Sequence, residues 1–502
     1  MSDEAAIAVP LVRLACAGCG TRLPGVEQEP YPFRCSRARA GDGIDHVVRR
    51  RLDPSVWSLP LDPDPNPFIR YRRRLYSWHV ARAHGIGDDE FVALAAALDE
   101  AVSAVDGRGF RVTPLGRPER LALALGMSAP GVVWVKDETG NVSGSHKGRH
   151  LMGLMLYLRV VDRLRARGTL SPTGGSRRLA IASCGNAALA AAVVACAAGE
   201  PLDVFVPPWA EPRLVARLRD LGAQVAVCER HANEAGDPCY LRFRESLDRG
   251  SLPFCCQGPD NGLAIEGGET LVYELLDQLA PPGAGLDRLF VQVGGGALAS
   301  ACTQALLEAK AAGRIPRLPR LHAVQTLGGY PLARAWQRIA GRAVAAGRDT
   351  RGAADAPAVE RILAHAAAHR REFMWPWETE PRSLAHGILD DETYDWLAVV
   401  EGMLRSGGWP IVVSEDDVTR ANDIAQATTG VAVDHTGSAG LAGLVQMRDA
   451  AAAGDARPEA DPRREQIVVL FTGARRSPPH PHPLPRAGGE GRDPQASRGA
   501  PL

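Results

Sequence analysis

The sequence predicts an α/β fold with parallel sheet at its centre. From about residue 131 onward, short stretches rich in Val, Ile and Leu alternate with helix-period segments, and strands separated by helices of about 10–15 residues indicate parallel pairing with helices on both faces. Several of these stretches end in glycine-bearing turns, SCGN, VGGG and FTGA, at strand ends where open α/β sheets bind their ligands.

In chain order, residues 1–55 read as loop and carry Cys16, Cys19 and Cys35. CAGC followed by GTRLP resembles the first knuckle of a zinc ribbon, which needs four soft ligands around a tetrahedral ion. The second knuckle reads CSRA rather than CxxC, so either His46 or nothing supplies the fourth ligand. A structural zinc and simply packed cysteines both accommodate the pattern.

Residues 56–130 are mostly helical: FVALAAALDEAVSAV repeats apolar residues at helical spacing, behind the proline-rich wrapping segment PLDPDPNPFIRY. Residues 131–476 hold the alternation. GVVWVKDE, RLAIAS, LDVFVPP, QVAVC, LDRLFVQV, LHAVQT and EQIVVLF are strands, and HLMGLMLYLRVVDRL, AALAAAVVACAAG, PRLVARLRDLGA and ALASACTQALLEAKAAG are helices. The tail, residues 477–502, is rich in Pro, Gly and Arg with almost nothing to bury, and reads as disordered.

A chain of 502 residues with 45% apolar content can bury a large core. Its 58 basic and 58 acidic residues cancel, so neither nucleic acid nor a membrane surface gains electrostatic support as a partner, and a small-molecule enzyme is the better expectation. The acidic start and the break of its apolar stretch at Pro10 and Arg13 are unlike a secretory leader, and no apolar stretch reaches about 18 residues; a cytoplasmic location is expected. Ten cysteines are too few for a disulfide scaffold, and Cys184, Cys196 and Cys302 in Ala-rich runs read as reduced small hydrophobes.

Lysine occurs only at Lys136, Lys147 and Lys310. A lysine amine forms a Schiff base with an aldehyde when it is held out of bulk water or near other positive charge. Lys147, in SGSHKGR, lies between a Gly/Ser turn and an apolar helix. Lys136 at the end of VVWVK reads as an edge residue with a snorkelling stem, and Lys310 as a solvent-facing helix position. Ser183, Gly185 and Asn186 in SCGN expose hydroxyl, amide and backbone N–H groups at a helix N-terminus, favouring an anion such as a carboxylate, or else cap a close-packed helix. Gly294, Gly295 and Gly296 let backbone approach a phosphate, or make a tight turn; the spaced dinucleotide fingerprint and the P-loop are absent. Thr472 offers a neutral hydroxyl at the end of the last strand.

In this order the four motifs resemble those of fold-type II pyridoxal 5'-phosphate (PLP) enzymes across approximately residues 65–476. The resemblance implies two parallel-sheet lobes with the cofactor in the cleft between them, the smaller lobe of about 145–255 inserted in the larger. It implies that Lys147 carries the Schiff base, Asn186 contacts the cofactor's 3'-oxygen, Gly294 to Gly296 cradle its phosphate, Thr472 faces the pyridine nitrogen, and Ser183, Gly185 and Asn186 hold the substrate carboxylate. A homodimer acting on a small amino acid is expected on the same ground.

GSHK resembles the tryptophan synthase β subunit, whereas SCGNAALAAA, DNGLAIEGGETLVYEL, HAVQTLGGYPLARAW, SLAHGILDD and TTGVAVDHTGSAGLAGL resemble threonine synthases and serine/threonine dehydratases. The expected activity is elimination of a β or γ substituent after Lys147 removes the α-proton. A hydroxyl at Thr472 suits expulsion of a leaving group more than transamination. A β-replacement synthase and a non-catalytic module retaining the fold are the alternatives. His146 is either a proton shuttle or a packed neighbour, and His435 and Ser438 either line the pocket mouth or cap a loop. Two departures stand out: HKGR replaces the Phe-Lys-Asp-Arg usual in threonine synthases, and Glu269 stands where lysine is expected.

Overall fold

The structure is a computed structural model and describes residues 12–127, 129, 131–172, 177–231, 236–279, 285–345, 356–453 and 461–476. The expected tail, 477–502, lies outside the described residues. The strands are β1 (Val12–Cys16), β2 (Val48–Leu52), β3 (Leu115–Gly116), β4 (Val132–Asp137), β5 (Leu179–Ala182), β6 (Leu202–Val206), β7 (Gln224–Val227), β8 (Leu252–Pro253), β9 (Arg288–Gln292), β10 (Arg320–Thr326), β11 (Ile411–Val413) and β12 (Gln466–Phe471).

They form three sheets. Six strands run in the order β11-β10-β9-β12-β4-β3, four in the order β7-β6-β5-β8, and β1 pairs with β2 alone. Pairing is parallel throughout the larger two sheets except for the short edge strand β3. Parallel sheets are covered on both faces, which is why β9 and β12 read as nearly unbroken apolar runs. Val468 and Leu470 of β12 pack into one core while Ile467, Val469 and Phe471 pack into the other, as the two-residue period of a strand requires.

The helix Lys147–Ala166 is buried on every side from Gly148 to Leu158 because it lies inside the molecule, and its run LMGLMLYL is apolar all round. Its Gly153 meets Gly267 of the helix Ala264–Gln278 so closely that a Cβ on the former would stand 2.9 Å from the latter's Cα. Behind the SCGN turn, the Ala-rich helix Asn186–Ala198 has side chains short enough to pack tightly and stops at Gly199 in the left-handed region.

Three readings are corrected. The first 55 residues are not simply loop, since β1 and β2 make an antiparallel hairpin. The charged stretch VRRRL concealed β2: Arg50 points inward, 4% exposed, and pairs with Glu269 and Glu308. Lys136 is not an edge residue, because β4 is flanked by β12 and β3, and its fully buried amine binds Glu274 at 2.7 Å. The sequence reading also passed over β11, whose three residues are too short to carry a periodicity signal. No helix among the described residues is long and apolar enough to cross a membrane.

Candidate active site

The SGSHK turn, the SCGN turn and the end of β12 converge. After β12, Ser145 bridges Gly473 in an isolated antiparallel contact, and the His146 N–H donates to the Thr472 carbonyl at 3.2 Å. This stitch fixes Lys147, half-buried at the first position of its helix, beside Thr472. Charge on Lys147 acts on His146, His150, Cys256, Asp390 and Asp395, so its ammonium lies within reach of all five.

The turn ahead of Lys147 is strained. Ser143 has φ +59°, making it the only non-glycine residue with positive φ among those described, a conformation that costs about 1–3 kcal/mol and gathers at functional sites. The buried hydroxyls of Ser143 and Ser145 have no hydrogen-bond partner among the described residues. Such orphaned groups carry a penalty of about 1–3 kcal/mol each, which a ligand offering polar atoms relieves.

Asn186 is the first residue of its helix, and Gly185 before it supplies no side-chain cap, so first-turn N–H groups are left for another acceptor. Ser183 lies in the same turn, its hydroxyl 3.4 Å from the Gly185 N–H. A Cβ on Gly473 would stand 3.0 Å from Asn186 Nδ2 and 3.1 Å from Asp434 Oδ1, which places the Asn186 amide against the end of β12. We expect Gly473→Ala to displace that amide and weaken cofactor binding roughly tenfold, or about 1.4 kcal/mol, with little loss of stability; equilibrium cofactor titration alongside thermal denaturation checks this.

Gln292 decides how Thr472 is used. Its Nε2 lies 2.8 Å from the Gly437 carbonyl oxygen, 3.3 Å from that of Leu470 and 2.5 Å from Thr472 Oγ1, and an amide nitrogen, which donates and does not accept, takes no hydrogen from a hydroxyl. The Thr472 hydroxyl therefore keeps its own hydrogen to give away. The sequence reading missed Gln292, although a lone polar residue inside the apolar run LFVQV was a signal.

Gly294, Gly295 and Gly296 follow β9 and lead into the helix Ala297–Ala311, with Gly296 at φ +96°. The loop already holds an anion. The Gly295 N–H donates to the carboxylate of Asp390, whose Oδ2 lies 2.4 Å from where a Gly294 Cβ would be. Burial pushes Asp390 up to about 6 against the opposing pull of Lys147. Nothing in SLAHGILDD marked Asp390 as a neighbour of the glycine loop.

The remaining candidates have structural partners. Burial, reinforced by Lys147 and His150, pushes His146 well below the usual histidine range, and its Nδ1 faces the Thr472 carbonyl at 3.2 Å. Ser438 donates to the Asp434 carbonyl at 3.0 Å, and Asp434 caps the helix that His435 begins, accepting the Gly437 N–H at 2.5 Å. Lys310 is exposed on its helix. Glu269 is fully buried, bound by Arg50 and by Tyr273 at 2.5 Å, which accounts for a carboxylate where the resemblance led us to expect a lysine.

Residues 108–473 match the pyridoxal-phosphate dependent enzyme family. The chain belongs to that family. Among curated members, it is 32% identical over 203 residues to an L-serine dehydratase of Saccharomyces cerevisiae (strain YJM789), covering 39% of this chain and 56% of that one, so the match spans little more than half of that relative. It is 22% identical over 368 residues to a threonine synthase of Methanocaldococcus jannaschii, covering 72% of this chain and 74% of the other. Its fold resembles the diaminopropionate ammonia lyase of Escherichia coli, with a TM-score of 0.52 at 16% identity over 76% of this chain and 88% of the other. The fold is thus that of fold-type II PLP enzymes, and pyridoxal phosphate is the cofactor the family implies.

Proposed function

We propose that this protein is a PLP-dependent lyase of the serine/threonine dehydratase or threonine synthase type, acting on a small L-amino acid. The observation that carries the reading is the stitch between SGSHK and the end of β12, which sets Lys147, Asn186 and Thr472 around one space. The residues present suit the cofactor: an amine at a helix entrance, a hydroxyl free to donate to a ring nitrogen, an amide for a ring oxygen, and a glycine loop in which the Gly295 N–H already meets a carboxylate.

When bound, the cofactor draws electrons from the substrate's Cα, acidifying its proton and easing departure of a neighbouring substituent. The chain's residues do the rest. Lys147 Nζ takes the α-proton from a position adjacent to Cα. Ser183, Gly185 and Asn186 hold the substrate carboxylate at the helix N-terminus. Neutral His146 keeps the turn in place through the Thr472 carbonyl.

The test is to supply the reconstituted enzyme with L-serine, L-threonine and O-phosphohomoserine in turn, measuring ammonia, keto acid and phosphate. Ammonia and keto acid from serine or threonine identify a dehydratase, and phosphate from O-phosphohomoserine a threonine synthase. Turnover that requires an added thiol or indole contradicts the reading in favour of β-replacement.

Asp390 gives the site a pH signature. Its raised value near 6 means that it becomes charged beside the incoming phosphate as pH rises through about 6. We expect Asp390→Asn to bind the cofactor as the wild type does at pH 5 and roughly tenfold more tightly at pH 7.5, the equivalent of about 1.4 kcal/mol of like-charge repulsion. Equal affinities at both pH values contradict it.

We also infer a homodimer in the cytoplasm, the former to be checked by light scattering and the latter by fractionation, and a structural zinc held by Cys16, Cys19 and Cys35. The zinc reading rests on three cysteine sulfurs gathered with His46 so that the four ligand atoms lie within 4.8 Å of one another.

A further inference from the structure

We propose that His46, through Nδ1, completes a tetrahedral zinc centre with Cys16, Cys19 and Cys35, that Asp42 orients the binding ring, and that the centre braces the glycine loop. This rests on the zinc reading and adds to it the fourth ligand, the orienting carboxylate and the mechanical connection.

The spacing of the ligand atoms is the first argument. With zinc–sulfur bonds of about 2.3 Å and zinc–nitrogen bonds of about 2.0–2.1 Å, a tetrahedron has edges of about 3.8 Å between two sulfurs and about 3.5 Å between sulfur and nitrogen. Cys19 Sγ and Cys35 Sγ stand 3.6 Å apart, and Cys16 Sγ and His46 Nδ1 3.4 Å. Both are edge lengths of a zinc tetrahedron. A disulfide needs sulfurs at about 2.0 Å.

The outer contacts form the second argument. His46 Nε2 meets Asp42 Oδ2 at 3.0 Å, so the ring nitrogen turned away from the cluster is held by a carboxylate, the arrangement that fixes the tautomer of a metal-binding histidine. Asp42 is itself fixed, accepting the backbone N–H groups of Arg39 at 2.9 Å and Ile44 at 3.0 Å. The ligands come from the end of β1, the turn beyond it, a loop and the approach to β2, four separate points of backbone.

From the cluster a chain of contacts leads to the candidate active site. Gly18, between Cys16 and Cys19, lies so close to Asp45 that a Cβ on it would stand 2.2 Å from the Asp45 carbonyl oxygen. Asp45 Oδ1 accepts from Trp396 Nε1 at 3.0 Å and Arg370 Nε at 3.1 Å. Asp395, next to Trp396, gives its backbone N–H to the Gly295 carbonyl at 2.9 Å. The knuckle thus presses on Asp45, Asp45 holds Trp396, and the strand of chain around Trp396 supports the glycine loop.

The test uses the full-length protein expressed with zinc. Elemental analysis is expected to give one zinc per chain, and X-ray absorption at the zinc edge three sulfurs and one imidazole. His46→Ala removes the imidazole scattering, His46→Cys restores tight binding with four sulfurs, and Asp42→Asn weakens zinc binding about 10–100-fold without changing the first coordination shell. Stripping the zinc from the wild type lowers its affinity for pyridoxal phosphate several-fold. A wild type without zinc overturns the zinc reading itself. Bound zinc whose absorption spectrum is unchanged in His46→Ala overturns the histidine assignment alone, and unchanged pyridoxal phosphate affinity after stripping overturns the brace alone.

Discussion

Lys147→Ala abolishes the visible band of the lysine-bound cofactor and lowers turnover by about 10²–10⁴-fold or more, because one side chain both anchors the cofactor and moves the α-proton. The prediction is sharp because so few amines could substitute. Lys136 is committed to Glu274 at 2.7 Å, the Thr113 carbonyl at 2.7 Å and Gln278 at 2.8 Å inside the protein, and Lys310 is exposed in the last turn of the helix whose other end follows the glycine loop. Retention of the band with loss of turnover would confine Lys147 to proton transfer. Retention of both would remove it from the chemistry.

The second large effect is on stability. Arg149, two residues beyond Lys147, is fully buried; it binds Glu138 at 2.7 and 2.9 Å and Glu274 at 2.6 and 3.0 Å, while Thr270 accepts its fifth N–H and the Thr113 hydroxyl lies 3.1 Å from Nη2. Burial alone would raise Glu138, yet the guanidinium holds it down at about 2. With Lys136 the cluster balances two positive against two negative charges. Arg149→Met leaves two buried carboxylates facing one ammonium and is expected to cost about 3–5 kcal/mol, read as a lowered denaturant midpoint. Arg149→Lys recovers little, since an ammonium cannot fork to both carboxylates. Because Glu138 is depressed in the folded state, its contribution is present above its unfolded value near 4.5 and is lost as pH falls toward 2. A Glu138→Gln variant is therefore expected to show a shallower acid transition.

The alternation of strand and helix and the glycine-bearing turns were legible in the sequence because they are local: SCGN and VGGG announce strand-to-helix turns wherever they occur. Lys147 was legible by scarcity. Gln292 and Asp390 were not, because their importance comes from partners far along the chain, Gly437, Leu470 and Thr472 for the one and Gly295 for the other. Arg50 went unremarked for the same reason. An arginine in VRRRL reads as solvent-facing until Glu269 and Glu308, more than two hundred residues later, are seen to bury it. The departure at Glu269 then follows from the hairpin that Arg50 belongs to.

The measurement that tests the central claim most directly is borohydride reduction of the cofactor-loaded protein, followed by peptide mass spectrometry. With lysine at only three positions, the answer is unambiguous. A pyridoxyl group on the peptide bearing Lys147, and on neither Lys136 nor Lys310, is the predicted result. Its appearance at another lysine, or its absence from a protein shown by titration to bind the cofactor, would contradict it.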